Sequence, residues 1–251
     1  MRDHEDPADE ALLEVSNLRV RYKNGALGVR DVSFTVGTAR IVALLGANGA
    51  GKTTTVRAIS GFLRSEGARV QAGTIRLGSQ DITNWEPHQI CKRGVCIVPE
   101  RRKVFANLSV SENLNALGAQ MPRGAAKAAV EERVFGLFPT LADRRRELAG
   151  RLSGGQQQML AIGRALMSDP KLLIIDEMTL GLHHSLHEPL FEAIKGISRS
   201  GSAVIMVDES TRNALDVADH CVLLASGQVR VAGASESFVG NELLVAGYVD
   251  A

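Results

Sequence analysis

The chain has 251 residues, 45% hydrophobic and 23% charged, with 29 Lys+Arg against 28 Asp+Glu for a formal net charge of +1. That length suits one large α/β domain, or a core with a subdomain, and the balanced charge supplies no global field to draw in nucleic acid. No stretch approaches the ~18 apolar residues of a membrane span. The opening Met1-Arg2-Asp3-His4-Glu5-Asp6 is too acidic for a secretory signal. Cys91, Cys96 and Cys221 lack metal or redox spacing and read as reduced core thiols without a disulfide. The expectation is a soluble chain that docks on a membrane protein. Arg101-Arg102-Lys103 and Arg144-Arg145-Arg146 are the basic clusters. Neither is interleaved with stacking aromatics, so a solvated or phosphate-facing role is expected and no nucleic-acid partner.

Residues 1–11 read as a flexible terminus. Leu12 to Tyr22 and Gly28 to Val36 alternate apolar and polar residues, as half-buried antiparallel strands do, and lead into the apolar strand Ile41-Val42-Ala43-Leu44-Leu45. Gly46-Ala47-Asn48-Gly49-Ala50-Gly51-Lys52-Thr53 follows at once. This G-x-x-x-x-G-K-[ST] loop is a phosphate cradle. Its glycines let backbone N–H groups turn inward, Lys52 supplies a point charge, and Thr53 can ligate magnesium. Thr54 to Phe62 then reads as a helix whose N-terminus faces the anion.

Gly73-Thr74-Ile75-Arg76-Leu77-Gly78 reads as a short strand and Val95-Cys96-Ile97-Val98 as a buried one. Between Pro99 and Gly150 the periodicity turns helical, with a capping box at Ser109-Val110-Ser111-Glu112. Lys171 to Asp176 and Ala203 to Val207 are aliphatic without alternation, which predicts a mostly parallel sheet covered on both faces. Val222-Leu223-Leu224 and Gln228 to Val231 flank Ser226-Gly227 as a small hairpin, and Glu236 to Val245 reads as a last amphipathic helix.

Two carboxylates, Asp176 and Glu177, end the strand Leu172-Leu173-Ile174-Ile175. Beside a phosphate loop the first holds magnesium with the loop hydroxyl and the second polarises the attacking water, so Asp176 is assigned to the metal and Glu177 to the water. Ser153 stands where a helix N-cap belongs in Leu152-Ser153-Gly154-Gly155-Gln156-Gln157-Gln158, and two glycines permit close backbone approach to a ligand. His183, His184 and His187 share a spacing that invites a metal, but no cysteine completes a set, and solvated or interface histidines are expected.

The order of phosphate loop, L-S-G-G-Q and acidic strand resembles the ATP-binding-cassette family over nearly the whole chain, from Tyr22 to the terminal hairpin. The resemblance implies an α/β P-loop NTPase core, residues 12–100 and 151–251, with an N-terminal antiparallel β subdomain and a helical insertion at 101–150. It implies ATP and Mg2+ as ligands and a head-to-tail dimer, in which Ser153, with Gly154, Gly155 and Gln156, closes over the ATP of a second ATPase subunit. Tyr22 resembles the adenine-stacking aromatic. Glu100, in Val98-Pro99-Glu100-Arg101-Arg102, stands where most relatives carry a metal-reaching glutamine, and a glutamate there resembles importers of branched-chain amino acids. Phe105 and Leu108 follow at the family's membrane-coupling face. Met178 stands where the family nearly always has proline, and Glu209 takes the place of the switch histidine, where a carboxylate repels the γ-phosphate.

The resemblance therefore implies an ATP-hydrolysing subunit of an importer for branched-chain or other hydrophobic amino acids. It would be peripheral on the cytoplasmic face of the inner membrane, with two permease subunits and, indirectly, a periplasmic solute-binding protein. Glu209 suggests a heterodimer with unequal ATP sites; a homodimer is the alternative. The rivals are a urea, amide or lipopolysaccharide system, a soluble cassette of DNA repair or translation, and an ATP-holding regulator with weak turnover.

Overall fold

Alternating side chains build the first part of the fold. In the computed structural model, which describes residues 11–100, 103–179, 182–208 and 214–238, β1 (Ala11–Tyr22) pairs antiparallel with β2 (Leu27–Gly37). Leu13, Val15, Leu18 and Val20 are buried on the same side as Val29, Val32, Phe34 and Val36. The apolar run expected as a strand is β3 (Ile41–Leu45), buried at every residue. Next come α1 (Lys52–Ser60), β4 (Ala68–Leu77), β5 (Gln80–Asp81), α2 (Pro87–Cys91) and β6 (Val95–Val98). α1 begins two residues before the expected Thr54, with Gly51 as its N-cap, so Lys52 and Thr53 belong to the first helical turn.

Short helices follow: α3 (Val110–Leu114), α4 (Ala125–Leu137), α5 (Pro139–Ala142) and α6 (Gly154–Leu166). The expected capping box forms at α3, and two more stand in the described chain, at α6 and, from Glu86 and Gln89, at α2. Ser109 and Glu112 satisfy each other's first-turn donors at α3, as Ser153 and Gln156 do at α6. β7 (Leu172–Ile175), α7 (His187–Arg199), β8 (Ala203–Val207) and the hairpin of β9 (His220–Ala225) and β10 (Gln228–Ala234) complete the described chain. Of the expected last helix, Ser235–Phe238 is a single 3-10 turn; residues 239–245 lie outside the described residues.

The described strands form one sheet in the order β5-β4-β1-β2-β10-β9-β3-β8-β7-β6. The run β9-β3-β8-β7-β6 is parallel, and β5-β4-β1-β2 is antiparallel. A single pairing, Gln228 with Asp31, joins the two halves. The aliphatic strands feed cores on both faces. Ile41, Ala43 and Leu45 join one core with Leu160, Ile162, Leu190 and Ile194, while Val42 and Leu44 join the other with Val56 and Ile59. Each fully buried aliphatic side chain is worth about 1.5–3 kcal/mol of transfer free energy. That burial seats α1 at one end of β3 and the chain after β7 beside it.

Candidate active site

The turn out of β3 is set by a position that only glycine fits. Gly46 has φ 144°, and a Cβ there would lie 2.2 Å from the Leu224 carbonyl oxygen. The chain therefore wraps tightly around the N-terminus of α1. Lys52 is buried in this wrap, 5% exposed, and its Nζ donates to the carbonyls of Gly46 at 2.6 Å and Ala47 at 3.0 Å. Loop residues 48–54, together with Gly28 and Glu177, line a cavity of about 250 Å³. Those loop residues carry the backbone donors of a helix N-terminus, which favour an anion.

Parallel pairing of β7 with β8, and of β8 with β3, brings the acidic strand end to the loop. Thr53 Oγ1 lies 3.5 Å from Asp176 Oδ1. Burial pushes the Asp176 carboxyl above its ordinary value and nearby Glu100 adds to this, against the opposing pull of Arg57, the Thr53 hydroxyl and Lys52. A hydroxyl and a carboxylate oxygen converging beside a phosphate-sized cavity are hard oxygen donors, a set that suits Mg2+. Glu177 holds a left-handed backbone, φ 51°, which is uncommon for a side chain of its size. Strained backbone of this kind clusters at functional sites.

Tyr22 stands beside the same loop. Its hydroxyl and Thr54 Oγ1 share a hydrogen bond of 3.0 Å, and its ring crowds Gly28, where a Cβ would come within 2.6 Å of Tyr22 Cε2. Ser153, Gly154, Gly155 and Gln156 form the start of α6 and are not among the lining residues of the loop cavity. Glu209 lies outside the described residues. Met178, in the family's proline position, is fully buried in the core. His183 Nδ1 bonds the Ser185 hydroxyl at 2.9 Å and His184 stacks against His187 with ring centroids 5.1 Å apart. No group of three metal-binding side chains occurs among the described residues.

Sequence reasoning missed three participants. In the sequence Lys103 stands out only as part of a basic cluster. Burial lowers its pKa, while Glu100, Glu177 and Asp176 act in the opposite direction, so the ammonium sits in the field of all three acids. Asn113 is fully buried and fixes the 105–109 loop: its Oδ1 accepts from the Phe105 N–H, and its Nδ2 donates to the carbonyls of Phe105, Leu108 and Ser109. Asp208, 4% exposed, accepts from Thr179 Oγ1. Of the second basic cluster, Arg144 pairs with Glu147 and Arg145 stacks 3.9 Å over the Phe135 ring, so both have structural partners.

A phosphate loop, a hydroxyl–carboxylate pair and a covered parallel sheet together define a P-loop nucleotide-binding protein. The ABC transporter family pattern matches residues 29–180, and the chain belongs to that family. It is 38% identical over 208 residues to the high-affinity branched-chain amino acid transport ATP-binding protein BraG of Pseudomonas aeruginosa, covering 83% of this chain and 87% of that one. The probable branched-chain amino acid transport ATP-binding protein LivF of Archaeoglobus fulgidus is 32% identical, with 92% and 95% covered. The lipopolysaccharide export system ATP-binding protein LptB of Haemophilus influenzae is 31% identical, with 92% and 94% covered. Among solved structures, an ABC transporter's ATP-binding cassette in its ADP conformation superposes with a TM-score of 0.81 over 96% of this chain and 97% of its own, at 24% identity.

Proposed function

We propose that this chain is the ATP-hydrolysing subunit of an importer for branched-chain or other hydrophobic amino acids. The observation that carries the ATPase reading is the approach of Thr53 Oγ1 to Asp176 Oδ1, 3.5 Å, beside the loop cavity that Glu177 also lines. The solute class rests on the similarity to BraG and LivF. The similarity to LptB supports a second reading, lipopolysaccharide export.

In this reading the N–H groups at the start of α1 bind the ATP phosphates, and Lys52 turns from the Gly46 and Ala47 carbonyls to the outer phosphates. The base extends to Tyr22 and stacks on its ring. Thr53 and Asp176, with Glu100 nearby, would hold a Mg2+ ion that neutralises charge on the phosphate oxygens. Glu177 accepts a proton from the water that attacks the γ-phosphorus, and the bond from that phosphorus to the bridging oxygen breaks as ADP leaves. Ser153 and the glycines beside it face the γ-phosphate of a second ATPase subunit. Glu209 would burden this chain's own site, which favours a heterodimer. Exposed Phe105 and Leu108 supply the docking face for a permease, which would hold the chain on the cytoplasmic face of the membrane. No described helix is long and apolar enough to cross a membrane.

The test pairs two variants in the assembled transporter. Lys52→Ala should lose tight Mg-ATP binding, because Lys52 contacts ground-state phosphates. Glu177→Gln should keep ATP binding and lose turnover by about a hundredfold or more. Hydrolysis by Glu177→Gln at the unmodified rate would remove Glu177 from the role of base. Uptake of labelled leucine by vesicles carrying the complex decides between the two solute readings.

A further inference from the structure

Tyr22 also borders a second, larger hollow of about 650 Å³, on which Arg21, Lys23, Arg64, Arg69 and Gln71 converge. The hollow exists because β4 is longer than its strand signal. Gly73, at φ 85°, sits where a Cβ would lie 2.4 Å from the Asn17 carbonyl oxygen. The irregularity there shifts the register, and β4 resumes pairing with Val20, Arg21 and Tyr22 through Val70, Arg69 and Ala68. Arg21 then stands directly opposite Arg69. Like charges directly opposite on neighbouring strands destabilise a sheet.

Among the described residues no salt bridge to Arg21 or Arg69 offsets that repulsion. Arg64 pairs with Glu86 at 2.5 Å, but among the described residues Arg21, Lys23 and Arg69 enter no salt bridge. The Arg21 Nε donates only to the neutral Gln71 Oε1, at 3.1 Å. Three exposed cations that enter no salt bridge among the described residues thus border one concavity. Its volume lies within the ~300–1,000 Å³ usual for small-molecule sites.

We propose that this hollow is a second anion site, which takes a small ligand bearing two or more linked phosphates. Guanidinium forks match phosphate oxygens bidentately, and two facing arginines with a lysine alongside suit a diphosphate better than a single carboxylate. The concave shape favours a small molecule over an extended acidic chain. The site stands apart from the loop cavity and does not rest on the ATPase reading. Tyr22 lines this hollow and bonds Thr54 of the loop, so it stands between the two.

The experiment is calorimetric titration of inorganic pyrophosphate into the full chain at low salt, with the loop filled by saturating Mg-ADP and, in parallel, into the Lys52→Ala variant. One pyrophosphate should bind in both, and its affinity should fall about tenfold or more in Arg69→Glu and in Arg21→Glu. Arg76→Glu removes an exposed positive charge from β4 outside the hollow and should change affinity less than about twofold. Circular dichroism of each variant confirms that the sheet is kept. The proposal is overturned if pyrophosphate binds only where the loop is open and Lys52 intact. An equal loss in Arg76→Glu and Arg69→Glu, or tighter binding of an oligo-aspartate peptide than of pyrophosphate, also overturns it. If the chain fails to bind ADP yet binds pyrophosphate in an Arg69-dependent way, the ATPase reading falls and this site stands.

Discussion

Thr179 Oγ1 donates a hydrogen bond of 2.8 Å to Asp208 Oδ2, joining the chain just after the two acids that follow β7 to the residue after β8. Asp208 is buried, 4% exposed, so the hydroxyl meets part of the hydrogen-bonding demand of a carboxylate removed from water. Thr179→Val keeps the shape and removes that donor. The expected cost is about 1–3 kcal/mol, or several degrees of melting temperature in a chain of this size. Thr179→Ser, which keeps the hydroxyl, should recover most of the loss. Thermal denaturation of the three proteins checks this, and a loss in Thr179→Ser with none in Thr179→Val would show that only the threonine methyl matters.

Arg164, on α6, holds the Phe105 loop in two ways. Its Nη2 donates to the Lys103 carbonyl at 2.7 Å, and its guanidinium lies 4.8 Å from the centroid of the Phe105 ring. Phe105 is 52% exposed, so the helix capped by Ser153 directly grips an apolar surface side chain. Arg164→Gln removes a contact worth about 0.5–2 kcal/mol. The isolated chain should keep its ATP affinity within about twofold, while stimulation of its ATPase by permease subunits falls roughly threefold or more. A cysteine at position 105 should cross-link to a permease subunit in the assembled complex. Unchanged stimulation in Arg164→Gln would separate α6 from the coupling face.

Features written in a few adjacent residues were legible in the sequence. The phosphate loop, the aliphatic strand that leads into Asp176-Glu177, the capping box at Ser109 and the N-cap at Ser153 depend on local backbone chemistry, and each stands in the structure where the residues predict it. Features made by sheet adjacency were not. Thr179 meets Asp208 because β7 lies beside β8, and no local pattern carries a pairing of residues 29 apart. The first half of β4 escaped because its continuation past Gly73 depends on a register shift against β1. Asn113 reads as an ordinary polar residue in a capped helix, yet the loop folded over it leaves it fully buried. The adenine role proposed for Tyr22 and the partner-facing role proposed for Ser153 rest on resemblance; the fold places Tyr22 by the loop and Ser153 at the start of α6.

Two thiols, Cys221 buried and Cys96 half-buried, make stability depend on alkaline pH. Burial pushes Cys96 from 9.0 up to about 11, with Cys91 adding to the effect, and burial likewise pushes Cys221 to about 11. The folded state keeps protons that the unfolded chain releases above about pH 9. The contribution of these thiols is therefore complete below pH 9 and is lost as the pH rises through about 11. Tyrosine and lysine titrate in the same window, so the informative quantity is a difference. The melting temperature of Cys96→Ala/Cys221→Ala should fall less steeply between pH 9 and 11 than that of the parent chain. Parallel curves would show that the native thiols ionise at their ordinary pKa.

Gln158 is a polar side chain left without partners in the described core. It sits one turn into α6, fully buried, and neither its Oε1 nor its Nε2 has a hydrogen-bond partner. Its neighbours in the helix, Met159, Leu160 and Ile162, belong to the hydrophobic core that the helices share with the sheet. A buried amide without partners forfeits the hydrogen bonds it made to water, about 1–3 kcal/mol for each group left unsatisfied. Methionine has nearly the same length and flexibility and asks for no partner. Gln158→Met should therefore raise the melting temperature by several degrees in the isolated chain, whereas Gln158→Ala, which leaves a cavity as well as removing the amide, should gain less or lose stability. Scanning calorimetry of the two variants separates the effects. A lower melting temperature for Gln158→Met would mean that the amide is satisfied in solution, and hydrogen exchange of the α6 amides would then show greater protection in the parent than in the variant.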